Sequence, residues 1–273
     1  MPGDRDRGRG RLAAQPDRRR PRVGSAGRSR DGAGLPAPPF ARIAGGGTDR
    51  LRESLRTRPF LKNALILLLT AAAGYVDAVS YLALGRVFTA NMTGNTVLFG
   101  LSLAQGDADG AGRAALALGG FLVGSALGGW IAYQGPREAG WPRGVTIALI
   151  VECVFLAALA NDRSEVLGLR VVFAAVAMGI QSAAARRLDV LGVTTTFITG
   201  TLTSLATLIA RHGVLPSASG HGKRFLAAVW GVYILGAVVA GAAVQVASAL
   251  VWLIPVAIVA TVVGTAAARF WRT

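Results

Sequence analysis

The sequence predicts an all-α transmembrane fold: a polytopic helical bundle of two pseudo-repeated halves, with two broken or re-entrant segments. Three observations lead there. Hydrophobic residues make up 52% of the chain and charged residues only 16%, with a mean hydropathy of +0.49; an ordinary soluble domain carries about 25% charged residues. From Pro59 onward, long apolar runs alternate with short polar breaks, and roughly 20 apolar residues suffice to cross a bilayer. Two of these runs open on Asn and Thr before they become apolar, which a plain spanning helix would not do.

Residues 1–58 form a separate Arg-, Gly- and Pro-rich segment with 15 Arg and 6 acids. It has too little apolar surface to fold and reads as a disordered tail. Lys and Arg beside the first crossing favour the cytoplasm, so the tail is placed there. Anionic lipid is a candidate partner for it; nucleic acid is not favoured, and a homo-oligomer is possible. The first apolar run begins far from the start and is too long for a signal-peptide core.

The membrane domain, 59–273, shows eight apolar segments: 61–84, 87–104, 114–133, 144–160, 167–185, 193–210, 225–246 and 250–268. The first carries Asp77 near its end. The second reads VFTANMTGNTVLFGLSLA and the sixth VTTTFITGTLTSLATLI; each is expected to start extended and then enter a half-helix at Thr-Gly. The third carries Gly120, Gly124 and Gly128, a stripe on one face where another backbone can approach. The fourth carries Glu152 and the single cysteine, Cys153. The last two lack any charge from Phe225 to Ala268, which demands two crossings with a turn near Ser248. Trp130, Trp141, Trp252 and Trp271 fall near segment ends, where amphipathic rings prefer the interface.

The order of features repeats. Thr93-Gly94 aligns with Thr199-Gly200, Ala73-Gly74 with Met178-Gly179, and FLVGSALGG at 121–129 with YILGAVVAG at 233–241. Two halves follow, about 61–160 and 167–270. If the unusual segments cross fully, there are eight crossings and the halves are parallel. If they dip in and return, there are six and the halves are inverted. With the tail inside, the inverted arrangement puts nine Lys and Arg beyond Lys62 on the cytoplasmic side, against eight for the parallel one.

The run AGYVDAVSYLALGRVFTANMTGNTVLFGLSLAQGD, residues 73–107, resembles the YoaK-type family of bacterial membrane proteins, catalogued as domain of unknown function 1275. The pattern joins Gly74-Tyr75-x-Asp77-Ala78 to Asn91-Met92-Thr93-Gly94-Asn95. The resemblance covers roughly 60–270 and implies a bacterial inner-membrane location, but no substrate or reaction.

Function is therefore read from residue chemistry. Asp77 and Glu152 lie within apolar segments, where an ionised carboxylate costs several kcal/mol unless it meets a cavity, a partner or a proton; they are candidates for proton or ion coupling. Asp77, Asn91, Thr93, Gly94, Asn95, Thr196, Thr199, Gly200 and Thr201 form the candidate substrate-binding set, though Asn and Thr there also suit helix–helix hydrogen bonds. Two helix amino termini meeting at mid-membrane, after extended stretches at 87–91 and 193–197 that pair with each other, would favour an anionic solute. No catalytic constellation, cofactor motif or metal-ligand cluster is legible; His212 and His221 share a loop without Cys or an acid pair. The leading reading is a secondary transporter for a small polar solute. The alternative is a non-transporting protein with an assembly or regulatory role through its basic tail.

The tail's placement can be tested directly. A cysteine replacing Ser29 should resist a membrane-impermeant maleimide on intact cells and react after permeabilisation; strong labelling from outside would reverse the topology.

Overall fold

The computed structural model describes residues 44–135, 141–162, 166–188, 198–210, 220–246 and 250–271. The chain divides into two units, Met1–Gly47 and Thr48–Thr273, and the second is the membrane unit. The described elements are helices: α1 (Ala44–Ala83), α2 (Met92–Gln105), α3 (Ala108–Ala132), α4 (Arg143–Asn161), α5 (Leu167–Arg187), α6 (Ile198–Ala210), α7 (Gly220–Val246) and α8 (Leu253–Phe270).

One boundary differs from the sequence expectation. Helix α1 starts at Ala44, inside the 1–58 segment that composition reads as disordered. The stretch RLRESLRTR at 50–58 is made largely of good helix formers, and extending an existing helix avoids the cost of nucleation. The turn expected near Ser248 and the extended stretch expected at 193–197 lie outside the described residues.

Six stretches are long and apolar enough to cross a membrane: Phe60–Ala83, Ala108–Ala132, Arg143–Asn161, Leu167–Arg187, Arg224–Val246 and Leu253–Phe270. The protein is a multi-pass helical membrane protein. Helices α2 and α6, with 14 and 13 residues, reach only about 20 Å at 1.5 Å per residue, short of a hydrocarbon core of about 30 Å. Local chemistry sets the length of α2. Asn91 caps its start by accepting from the Gly94 N–H, and Gly106 ends it in a left-handed conformation, φ 70°. Asp107 then caps α3 through the Gly110 N–H at 2.9 Å. The break between α3 and α4 ends at Pro142, extended at ψ 140° just before the first turn of α4.

Contacts between helix ends fix which termini lie together. The Lys62 ammonium donates to the Leu188 carbonyl at 2.6 Å, just beyond α5. The Arg187 guanidinium lies 4.9 Å over the Tyr133 ring, just beyond α3. Trp141, before α4, stacks on Phe270, the last residue of α8. These contacts gather the start of the α1 span, the ends of α3, α5 and α8 and the start of α4 at one end, here called the A end. At the opposite B end, Arg113 of α3 donates to the Gly85 carbonyl just after α1 at 3.2 Å. Helix α2 links the B-end terminus of α1 to the B-end start of α3, so it leaves and returns to the same end. Since α4 and α8 pack antiparallel and α7 joins α8 at the B end, α7 starts at the A end. Helix α6, between α5 and α7, therefore leaves and returns to the A end. Among the described residues, six helices are long enough to cross, and the two short helices are re-entrant elements from opposite ends.

Two helix crossings bring backbone onto backbone. A Cβ on Gly124 would sit on the Val176 carbonyl oxygen, one on Gly179 on the Phe121 carbonyl oxygen, and one on Gly128 would lie 2.6 Å from the Ile180 Cα. Helices α3 and α5 thus run parallel in close contact, with Gly120 facing Val172 and Ala175. At the other crossing, Gly74 of α1 faces the Tyr233 carbonyl and Gly236 of α7 faces the Ala71 carbonyl. The core runs through α1 and α5, where Leu69, Ala72, Val76, Ala174, Ala177 and Met178 are fully buried. Polar ties cross it: Gln181 donates to the Leu69 carbonyl at 3.0 Å and Ser125 to the Gly179 carbonyl at 3.3 Å. Apolar side chains on α3 and α7, among them Leu122, Val123, Leu235 and Val238, are exposed, as a lipid-facing surface requires. Trp141 and Trp252 are instead buried, Trp141 donating to the Thr146 hydroxyl at 2.9 Å; they pack in protein, whereas Trp130 is exposed.

One substitution at two glycines of α3 separates packing from propensity. Gly124→Ala should cost about 1–3 kcal/mol, because backbone must move apart. Gly119→Ala meets nothing within 4 Å and should be neutral or stabilise by up to about 1 kcal/mol. Unfolding of the purified protein in mixed detergent micelles reads both; equal effects would mean that α3 and α5 are not in backbone contact.

Candidate functional site

Helix α1 ends at Ala83, and the chain reverses through Gly85 (φ 78°) and Arg86 (φ 62°). It then runs back along α1 as a non-helical stretch, 87–91, before α2 begins. Asp77 lies six residues before the end of α1, about 9 Å along the axis. The stretch therefore sits below the helix end, where no water is at hand and exposed backbone groups would cost several kcal/mol each.

Side chains answer those groups one by one. The Asp77 Oδ1 accepts from the backbone N–H of Thr89 at 2.8 Å, of Ala90 at 2.6 Å and of Asn91 at 3.4 Å. The Asn95 side chain pairs with both polar groups of Phe88: its Oδ1 accepts from the N–H at 2.9 Å and its Nδ2 donates to the carbonyl at 2.6 Å. That two-way pairing is what a neighbouring strand would supply. Ser80 and Thr89 place their hydroxyls 3.1 Å apart. Each backbone N–H from Phe88 to Asn91 thus ends on a carboxylate or an amide oxygen. The Asp77 Oδ2 accepts from the Tyr233 hydroxyl at 2.6 Å, which ties α7 to the same group. Tyr75, two residues before Asp77, donates to the Val251 carbonyl at 2.8 Å, just before α8.

The motif that sequence singled out therefore has a geometric reading. Gly74 admits α7, Tyr75 reaches the α7–α8 connection, Asp77 and Asn95 hold the re-entrant stretch, and Asn91 caps α2. Gly94 leaves room for the Phe88 ring, which an added Cβ would meet at 2.9 Å. Thr93 is exposed. In the other short helix, Thr199 and Gly200 are exposed, Gly200 has open space around it, and Thr201 is buried. Thr196 lies outside the described residues. The pairing expected between 87–91 and 193–197 is not what satisfies 88–91; α1 and α2 do so themselves.

Glu152 is of another kind. It sits at the middle of α4, nine residues from Arg143 and nine from Asn161, and is 0% exposed. Neither carboxyl oxygen has a hydrogen-bond partner among the described residues. Two grooves, with volumes of ≈ 420 and ≈ 510 Å³, are lined by apolar residues of the α7–α8 region and of α3 and α5, and neither takes in Asp77 or Glu152.

Sequence reasoning missed Tyr233, Gln181 and Tyr75 as members of this polar network. Tyr233 was visible only as the counterpart of Phe121 in the repeat alignment, a hydroxyl added where the other half has none.

The family model described as "Protein of unknown function (DUF1275)" matches residues 65–265. The "UPF0700 transmembrane protein YoaK" of Bacillus subtilis (strain 168) is 38% identical over 148 residues, covering 53% of this chain and 65% of that relative. The aligned region is thus a little under two thirds of that relative's length. No solved structure matches the chain.

The hydrogen bonds at Asp77 imply a graded series. Asp77→Ala strands three backbone N–H groups and a buried hydroxyl, each worth about 1–3 kcal/mol, and should leave little folded protein. Asp77→Asn keeps one acceptor oxygen and should cost less. Tyr233→Phe removes one bond to a charged group, about 1.5–3 kcal/mol. Hydrogen exchange at Thr89–Asn91 should speed up in the same order; unchanged exchange in Asp77→Asn would mean that the carboxyl does not hold the stretch.

Proposed function

The chain belongs to the DUF1275 family, and from that premise we propose that it is a secondary carrier for a small polar solute, which it contacts at its two re-entrant half-helices. The observation that carries this reading is the correspondence between the two close helix crossings. Under the repeat alignment Gly74 matches Gly179, Tyr233 matches Phe121, Gly236 matches Gly124 and Ala71 matches Val176. The contact of Gly74 with Tyr233 is then the counterpart of Gly179 with Phe121, and that of Gly236 with Ala71 the counterpart of Gly124 with Val176. Each half sends its first helix to cross the second spanning helix of the other.

Three crossings per half make the halves inverted, and their half-helices enter from opposite ends. That plan supports alternating access, because exchanging the conformations of inverted halves turns an arrangement open at one end into one open at the other. Solute contacts fall to the polar groups exposed at the half-helices: Thr93 and the free face of Asn91 and Gly94 in α2, and Thr199 and Gly200 in α6. Asn95 and Asp77 act as positioning residues. The Asn91 side chain already takes the Gly94 N–H at the start of α2, and the Asp77 carboxylate sits on the N–H groups just before it, where its charge opposes an anion. A neutral or cationic polar solute suits that end better than the anion that two free helix termini would favour.

Orientation follows from the basic residues. Lys62, Arg143, Arg186, Arg187 and Arg269 cluster at the A end, against Arg86, Arg113 and Arg170 at the B end. This supports a cytoplasmic A end and tail, in the plasma membrane.

Two measurements test the carrier reading together. Cysteines replacing Thr93 and Thr199 should react with an impermeant reagent from opposite faces of the membrane, Thr93 from outside and Thr199 from inside. Purified protein in phosphatidylethanolamine–phosphatidylglycerol vesicles should take up at least one member of a radiolabelled panel of amino acids, amines, sugars and small carboxylates. Labelling from the same face would remove the inverted geometry; no uptake across the panel would count against transport.

A further inference from the structure

We propose that Glu152 is a buried proton-binding site and that the proton is the ion coupled to solute movement. This rests on the carrier reading above and specifies its driving ion. The placement of Glu152 is the starting point. It lies about 14 Å from either end of α4 at 1.5 Å per residue, in the bilayer interior and away from water. Its face of the helix is shared by Val145, Ala148, Leu149, Leu156 and Leu159, all buried. Both oxygens lack a hydrogen-bond partner among the described residues.

Groups that might neutralise it lie elsewhere. Helix α4 packs against α5, α8 and α3. The titratable and charged residues of α5 are Arg170, Arg186 and Arg187, near its two ends; α8 has Arg269 in its last turn; α3 has Asp109 and Arg113 in its first two turns. On α4 itself the neighbours are Arg143 at the first position and Cys153. The central turns facing Glu152 hold no cation. A bare carboxylate in that setting costs far more than a neutral acid, whereas a metal cation would need several oxygen ligands, and among the described residues no cluster of metal-ligating side chains includes Glu152. The chemistry that remains is the proton.

Asp77 gives the contrast. It is equally buried, but its oxygens accept four hydrogen bonds, which leaves a proton no purpose there. The two acids thus divide the work, Asp77 fixing the re-entrant stretch and Glu152 exchanging a proton. In the described conformation Glu152 is shut off and holds its proton. When α4 parts from its neighbours toward one end, water reaches the carboxyl, which gives its proton to that water and becomes a carboxylate. A proton taken from the other side restores the acid, so one positive charge crosses per cycle.

The experiment uses the full chain in phosphatidylethanolamine–phosphatidylglycerol vesicles at neutral pH, with dicyclohexylcarbodiimide as the probe. This reagent modifies protonated carboxyls in apolar surroundings: the acid proton moves to a carbodiimide nitrogen, the carboxylate adds to the central carbon, and rearrangement gives a stable N-acylurea with nothing lost. Peptide mass spectrometry should find the adduct on Glu152 and not on Asp77, with loss of the adduct in E152Q. The infrared difference between wild type and E152Q should show loss of a carboxylic-acid carbonyl band. An unmodified Glu152, or loss of carboxylate bands instead, overturns the proposal; where E152Q does not accumulate, the wild-type adduct decides alone. With a transported solute in hand, an imposed pH gradient should drive uptake by the wild type, and E152Q should lose that response while retaining exchange of the solute down its own gradient. Gradient-driven uptake by E152Q equal to wild type also overturns the proposal. A protonated Glu152 with no uptake across the panel would instead sink the carrier reading and leave the proton site standing.

Discussion

A backbone that leaves helical geometry inside a membrane must find a partner for every N–H and C=O, because lipid offers none. Much of the first half of this protein follows from that demand at four residues, Phe88 to Asn91. The chain meets it with two side chains, Asp77 from the helix before and Asn95 from the helix after. A carboxylate accepting from several N–H groups makes bonds about twice as strong as neutral ones, and an amide side chain can mimic a strand edge by giving and accepting at once. Once these are in place, α1 must reverse at Gly85, α2 must start at the depth of Asp77, and α3 must return from the end where α1 left.

The same demand explains why so much polar chemistry near α2 is structural. Asn91, Asn95, Asp77, Ser80 and Thr89 bond within the segment. What a solute could meet is the remainder, chiefly the exposed Thr93 and, at the opposite end, Thr199 and Gly200. Polar residues in a membrane segment are expensive, but cost alone does not separate a ligand site from a lock. The hydrogen-bond inventory does, which is why Asp77 and Glu152, equally buried, point to different roles.

How much of this was legible depended on the range of the interaction. The glycine stripe of α3 could be read because a four-residue spacing places Gly120, Gly124 and Gly128 on one helix face, whatever lies opposite. The broken character of the second segment could be read because Asn and Thr cluster at its start. The role of Asp77 could not, since its partners lie 12 to 14 residues away across a reversal that the sequence does not announce. Tyr233, 156 residues from Asp77, carried no signal beyond a hydroxyl at a position where the other half has Phe121. The early start of α1 was hidden by averaging composition over 1–58, which mixes a helix-forming stretch with Gly- and Pro-rich sequence. Crossing number was decided by parity, once Lys62, Tyr133, Arg187 and Phe270 showed which helix ends share a side.

The repeat alignment sets one further constraint. The offset that matches Gly74 with Gly179 brings Asp77 onto Ser182, and that which matches Thr93 with Thr199 brings Asn95 onto Thr201. Ser182 and Thr201 are buried like their counterparts, so both halves place polar side chains at the same two sites. Their capacities differ. A serine offers one hydroxyl oxygen where Asp77 offers two carboxylate oxygens, and Phe121 offers nothing where Tyr233 donates. The α2 stretch is therefore held by charge-assisted bonds and tethered to α7, and the matching positions Ser182 and Thr201 carry only hydroxyl groups. In the proposed carrier, two inverted halves with identical locks would have equal energy with either end open. Unequal locks would make one arrangement the resting one, with the difference set by the few hydrogen bonds that Asp77 makes and that Ser182, with a single hydroxyl, cannot reproduce.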